Sequence, residues 1–185
     1  MYNNVLKLPE KTKEQYEHKK YCIDFMLEIN AFECFSINIE LLGRFSNKLF
    51  LYLINHPKFD PNFWNLIAVA GKHQDIEKVE LLCECMRVDI YKQTENFFEK
   101  YFLTSYLEHR TMTYLLTAQF LIENHFIKID EKFTDFISSQ YPRGDFYYFC
   151  KKFVKEKKEI EDIVTEVFDK NVGEDVRKLF FTFLF

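Results

Sequence analysis

Cysteine and histidine are the residues in this chain best suited to covalent or metal chemistry, so their spacing is the first question. Cys83 and Cys85 stand two apart. On a helix their side chains diverge by about 200°, so they cannot clasp one tetrahedral zinc together. His18 and Cys22 have the i, i+4 spacing that puts two ligands on one helix face, yet no second pair accompanies them in the sequence. A packed thiol beside a surface histidine is the simpler reading. Cys–His and Ser–His–Asp sites assemble in space from distant residues. None of the local signatures is present: there is no Gly-x-Ser-x-Gly and no His-Glu-x-x-His, and glycines only at 43, 71, 144 and 173 leave little material for a phosphate cradle. Asp75, Glu77, Glu80 and Glu84 read as the solvated face of a helix rather than as paired catalytic carboxylates. The expectation is no catalytic residue, no metal and no cofactor.

Binding chemistry is better represented. Lys151-Lys-Phe-Val-Lys-Glu-Lys-Lys158 is a basic cluster interleaved with an aromatic, a pattern that suits nucleic acid. Glu156, Glu159, Glu161 and Asp162 interrupt and follow it, however, and lysine and glutamate at helical spacing describe an ordinary wet face. A net charge of −4 supplies no overall field for nucleic acid or an anionic bilayer. The stretch from His56 to Asn62 and its two downstream counterparts read differently. If they are the loops of stacked helical hairpins, they align along one edge, where side chains need not serve the core. Phe59, Asp60, Phe63, Trp64 and Tyr91 are the candidate partner-binding residues there, since aromatics make most binding hot spots. The competing role for Phe63 and Trp64 is to fill space between units.

The elements that must position these residues follow from an internal echo. Leu49-Phe-Leu-Tyr-Leu-Ile-Asn55 is a helical pattern with Leu49, Phe50, Leu53 and Ile54 on one face, and Pro57 stops it. Ala118-Gln-Phe-Leu-Ile-Glu-Asn124 echoes it, with 68 positions between Leu53 and Leu121, about twice the 33-residue ankyrin period. A weaker copy lies between them, where Ile76, Val79, Leu82 and Cys83 precede Met86-Arg-Val-Asp-Ile90. Thr12 to Asn30 reads as an amphipathic helix that caps the array at its N-terminal end. Ser36 is the expected N-cap of Ile37–Gly43, and Gly43 the positive-φ stop before Ser46 opens the next helix to Asn55. Phe63–Ala70 and Ile76–Cys85, with Asp75 capping the latter, form the second hairpin. Thr94–Leu107 and Thr111–Asn124 form the third, with extra length between about Tyr91 and Arg110. Glu131–Gln140 follows, then a turn at Tyr141-Pro-Arg-Gly144. A long helix from Asp145 is broken by Asn171 and Gly173. The apolar ending Val176–Phe185 is expected to fold back as a cap rather than stay exposed as a patch for partners or self-association.

Composition agrees with such a chain. At 185 residues, 48% apolar and 18% aromatic, it can bury a real core. Four glycines and four prolines favour helix over a turn-dense β fold. Charges alternate through the first twenty residues, so no secretory signal is expected, and the uncharged run Thr111–Ile122 is too short and polar to span a bilayer. Five scattered cysteines suit a reducing compartment, so a cytoplasmic setting is expected. The abundance of Phe, Tyr, Lys, Asn and Ile suits an AT-rich genome such as many viruses and intracellular bacteria have.

One known family comes into view at Leu66-Ile-Ala-Val-Ala70, Gly71-Lys-His73, Asp75-Ile76, Leu81-Leu82 and Val88-Asp89, whose order resembles an ankyrin repeat. Small Ala68 and Ala70 allow close helix contact, and an acid opens the second helix. The Thr-Pro-Leu-His signature is absent, so the resemblance is to a degenerate repeat, strongest from about Ser46 to Asp130. The expected fold is all-α. Residues 1–185 form one domain of stacked helical hairpins, with 1–35 an N-terminal capping helix, 36–140 the hairpin repeats and 141–185 the C-terminal helices. The resemblance implies protein–protein recognition, with a pathogen or viral factor binding a host protein as the expected setting. The alternatives are an enzyme on an unfamiliar helical fold and an all-α viral regulator that takes a partner helix in a groove.

Overall fold

The computed structural model describes residues 2–34, 38–108, 113–140 and 144–171, and every element among them is helical. Cα packing separates two compact units, Met1–Phe120 and Leu121–Phe185, where the sequence suggests a single domain. The expected Ser36 cap, the first three residues of the Tyr141–Gly144 turn, the Gly173 break and the Val176–Phe185 cap lie outside the described residues.

The first unit opens with a short helix α1 (Tyr2–Leu6), then α2 (Lys13–Glu28) and α3 (Ala31–Cys34). Thr12 caps α2 through a capping box with Gln15, which satisfies otherwise orphaned donors at both ends of the motif. A 3-10 turn over Ile39–Arg44 follows, capped by Asn38. It stands where a helix over Ile37–Gly43 was expected. Next come α4 (Asn47–Asn55), α5 (Leu66–Lys72) and α6 (Ile76–Glu84), capped by Ser46, Asn65 and Asp75 through backbone N–H groups three residues on. The helix α7 (Ile90–Phe97), capped by Asp89, continues into a wide π-helical stretch, Phe98–Glu108. The extra length expected between Tyr91 and Arg110 is thus largely taken up as a widened continuation of one helix rather than as a loop.

α4 and α6 are nine residues each, with N-caps 29 positions apart and the same exit. His56 N–H bonds back to Leu53 and Phe59 N–H to His56, just as Cys85 N–H bonds to Leu82 and Val88 N–H to Cys85. In packing, α4 lies on α6, while α5 contacts both the 3-10 turn and α7. Leu49, Phe50, Leu53, Ile67, Ala70, Val79, Leu82, Phe97 and Phe102 are buried among these helices.

The described glycines do not act as positive-φ helix stops. No described glycine has positive φ; Asn30, Gln74 and His125 take that conformation instead. Gly43 serves close approach: a Cβ there would lie 2.2 Å from His73 Cδ2 and 3.1 Å from the Val69 carbonyl oxygen. Gly43→Ala should therefore cost about 1–3 kcal/mol in the wild-type background, the range for overpacking, and less behind His73→Ala, where the approach to the Val69 carbonyl remains. Urea denaturation of the four proteins checks this. An equal cost in both backgrounds would show that the His73 ring is not what the new methyl meets.

The second unit pairs α9 (Glu131–Gln140) with α10 (Asp145–Asn171) over Ile137, Phe146 and Cys150. α8 (Leu115–Glu123) runs across the division between the units and exits through His125, whose φ is 62°. Leu121, the echo of Leu53 and Leu82, is fully buried as they are. Asp130 caps α9 by accepting from Phe133 N–H at 2.8 Å. α10 runs unbroken through Asn171. Among the described residues no helix is long and apolar enough to cross a membrane.

Candidate functional site

Each exit turn of α4 and α6 tucks one apolar side chain under itself and presents others outward. Phe59 is the buried member of its turn, 2% exposed and edge-on to Phe32 at 5.4 Å between ring centroids. It cannot offer its ring to a partner, which corrects its place among the candidate binding residues. Val88 is buried at the corresponding point of the next turn. Asp60 is exposed, and its Oδ1 accepts from Asn62 N–H at 2.8 Å, closing a tight local turn. Phe63 is 54% exposed and Tyr91 68%, while Trp64 is half-buried and meets Phe63 edge-on at 4.9 Å. Met86, which sequence reasoning passed over, projects fully into solvent between them in the chain.

The two turns are locked together by side chains bonding to backbone. The Arg87 guanidinium donates to the carbonyls of Ile54 (2.8 Å), His56 (2.6 Å) and Phe59 (2.7 Å). Asn62 donates to the Arg87 carbonyl at 2.8 Å and accepts from Asp89 N–H at 2.7 Å. Gln93, buried, donates to the Pro61 carbonyl at 2.7 Å and accepts from Leu66 N–H at 2.9 Å; Asn65 donates to the Gln93 carbonyl at 2.8 Å. These bonds join the exit of α4 to the exit of α6 and to α7. The edge is therefore a set of exposed aromatics on held backbone.

Behind it lies an open groove of about 330 Å³ between the Phe63–Trp64 loop and the α7 side, where Lys92, Asn96, Lys100 and Tyr101 form the far wall. Lys92, Asn96 and Lys100 follow at intervals of four through the junction into the π-helical stretch, with Tyr101 adjacent to Lys100.

The remaining candidate chemistry is dispersed. Cys22 Sγ lies 3.9 Å from His18 Nε2 on the outer face of α2. Among the described residues no group of three or more His, Cys, Asp or Glu side chains converges as a metal site would require. Burial pushes the Cys83 thiol up to about 12, with Glu80 and Glu84 adding to it, and burial likewise raises Cys150 to about 12. Both are thiols at neutral pH, the weakly nucleophilic form. Along α10, Lys152, Lys155 and Lys157 pair with Glu156, Glu159 and Glu161 one turn on, and Lys158 reaches Glu131 on α9.

Comparison with protein-family models, curated proteins and solved structures finds no match to this chain.

Proposed function

We propose that this chain is a protein-recognition module of degenerate ankyrin-like architecture, acting without catalysis through the edge that carries Phe63, Trp64 and Tyr91, with Asp60 beside them. The observation that carries this reading is the pairing of large exposed aromatics with turns whose backbone is fixed by Arg87, Asn62 and Gln93. Exposed rings on held backbone contribute to binding because little ordering entropy remains to be lost when a partner docks. The packing of α4 on α6, and of α5 against the 3-10 turn and α7, supports the repeat architecture. The unpaired thiols Cys22, Cys83, Cys85 and Cys150 support a reducing, cytosolic setting.

Affinity capture from a eukaryotic lysate tests the proposal, with wild type set against a Phe63→Ala/Tyr91→Ala variant that retains the wild-type circular dichroism spectrum. Both side chains are exposed, so stability should change by under about 0.5 kcal/mol each. A captured partner should bind the variant at least roughly thirtyfold more weakly, the loss expected for one true hot spot. Equal capture by both proteins would remove the edge from the binding surface.

A further inference from the structure

The groove beside this edge has a one-sided polar inventory. Asn62, Asn65 and Gln93 use both ends of their side chains in holding the turns together, while Asn96 is engaged through its N–H, which donates to the Lys92 carbonyl at 3.0 Å, and keeps its amide oxygen as an acceptor. Lys92 and Lys100 carry no ion pair with any described residue, unlike the lysines at 19, 58, 72 and 78. No lining residue is acidic; Glu95 and Glu99, on the same helical run, lie outside the lining. The ammonium groups of Lys92 and Lys100, the Trp64 indole N–H and the Tyr101 hydroxyl remain over a floor of aromatic rings. All four can donate a hydrogen bond, and only the hydroxyl can also accept one.

Resting on the recognition role proposed above, we infer that this groove binds an extended acidic peptide segment of a protein partner, with two carboxylates flanking one apolar side chain. Spacing defines the pattern. Lys92 and Lys100 are eight residues apart on a helical run, roughly 12 Å at about 1.5 Å per residue. An extended peptide covers about 13 Å in four residues and puts side chains i, i+2 and i+4 on one face. Carboxylates at i and i+4 reach the two ammoniums while the apolar residue at i+2 faces the rings, where a charge-assisted pair at each end fixes the register. A single-stranded nucleic acid is the poorer fit. Its charge is continuous along the backbone, and it would pass Asp60, Asp89, Glu95 and Glu99 as well as the two lysines. A peptide places its charges only where the lysines are.

Trp64 is the one tryptophan of the chain and lines the groove, so its emission reports occupancy directly. The full-length protein is used to select from a random heptapeptide display library. Enriched peptides are then titrated by Trp64 fluorescence against wild type, Lys92→Glu/Lys100→Glu and Phe63→Ala/Tyr91→Ala, with oligouridylate as a second probe. The expected result is enrichment of acidic pairs four positions apart around an apolar residue. Affinity should fall at least tenfold when the acids become glutamines or the lysines become glutamates, and a lysine-bearing peptide should bind the reversed groove. If the charge-reversed variant loses the wild-type circular dichroism spectrum, Lys92→Gln/Lys100→Gln takes its place. Neutral or basic peptides lost only in the Phe63→Ala/Tyr91→Ala variant would overturn the acidic preference and leave the recognition edge standing. Saturable quenching by oligouridylate that depends on both lysines, without peptide enrichment, would overturn it in favour of nucleic acid. No enrichment and no quenching would overturn the groove as a peptide site, while the capture experiment above decides the edge separately.

Discussion

Lys19→Met is expected to destabilise the first unit by about 3–5 kcal/mol, the range for removing one partner of a buried ion pair. The Lys19 side chain is 2% exposed and the Glu10 side chain it meets at 2.6 Å is 10% exposed. The ammonium also donates to the Leu8 carbonyl at 3.1 Å and sits 4.2 Å from the centre of the Phe45 ring. Glu10 does more than pair. Its other oxygen accepts from both Ser46 N–H at 3.1 Å and the Ser46 hydroxyl at 2.5 Å, and that hydroxyl caps α4 through Leu49 N–H at 3.3 Å. Methionine would fill most of the volume but leave the Glu10 carboxylate nearly dry with no cation beside it. The penalty is therefore desolvation of an unpaired charge rather than lost packing. Lys19→Met/Glu10→Gln should recover part of the loss, since no unpaired charge remains, with a coupling of about 1–3 kcal/mol in the double-mutant cycle. Urea unfolding followed by Trp64 emission measures this, because Trp64 lies in the same compact unit. A cost under about 1 kcal/mol for Lys19→Met would mean that Glu10 reaches water easily and that the network is peripheral.

Nothing in the sequence marks Lys19 as different from its neighbours Lys13 and Lys20, because its burial depends on Glu10, Phe45 and Ser46 brought in from elsewhere in the chain. The same contrast runs through the molecule. Helices α4, α6, α9 and α10 are legible because their signals are local: apolar side chains at 3.6-residue spacing, and Ser46, Asp75 and Asp145 at or near their starts. The echo of Leu53 in Leu82 and Leu121 is legible for the same reason, since each is a core residue in the last turn before a helix exit. Side-chain destinations set by distant partners are not legible. Phe59 and Phe63 are both aromatics next to a turn, yet the first is buried against Phe32 from a distant part of the chain and the second is exposed. Gly43 looks like a helix stop from its flanks, whereas its requirement comes from His73, thirty positions on. The groove lysines need both a widened helical register and the Phe63–Trp64 loop, well upstream in the chain, to become a pair.

Arg87 is the residue on which the proposed edge depends most, and Arg87→Ala should cost about 3 kcal/mol, in the range for losing charge-assisted hydrogen bonds, although the His56 carbonyl keeps its bond from Phe59 N–H. Its guanidinium reaches from the α6 exit to three carbonyls of the α4 exit, those of Ile54, His56 and Phe59, all at 2.6–2.8 Å. No other described side chain donates to any of the three. Asn62 closes the link in the opposite sense by donating to the Arg87 backbone carbonyl, a bond that alanine would keep, so removing the guanidinium loosens the α4 exit while Asn62 and Gln93 still tie it to the next turn. Lysine should restore little of the loss. An ammonium is a compact donor without the planar fork that spans separated carbonyls, so Arg87→Lys is expected to remain about 2 kcal/mol below wild type. Melting should fall by about 10 °C for alanine, given the usual few degrees per kcal/mol in a chain of this size. Binding separates this from a general loss of stability. At a temperature where the variant is still folded by circular dichroism, the affinity of any partner lost in Phe63→Ala/Tyr91→Ala should also weaken in Arg87→Ala, because the exposed rings would no longer sit on ordered turns. If Arg87→Ala unfolds within about 0.5 kcal/mol of wild type, water replaces the guanidinium at those carbonyls. The stiffness of the edge would then have to come from Gln93 and Asn62 alone.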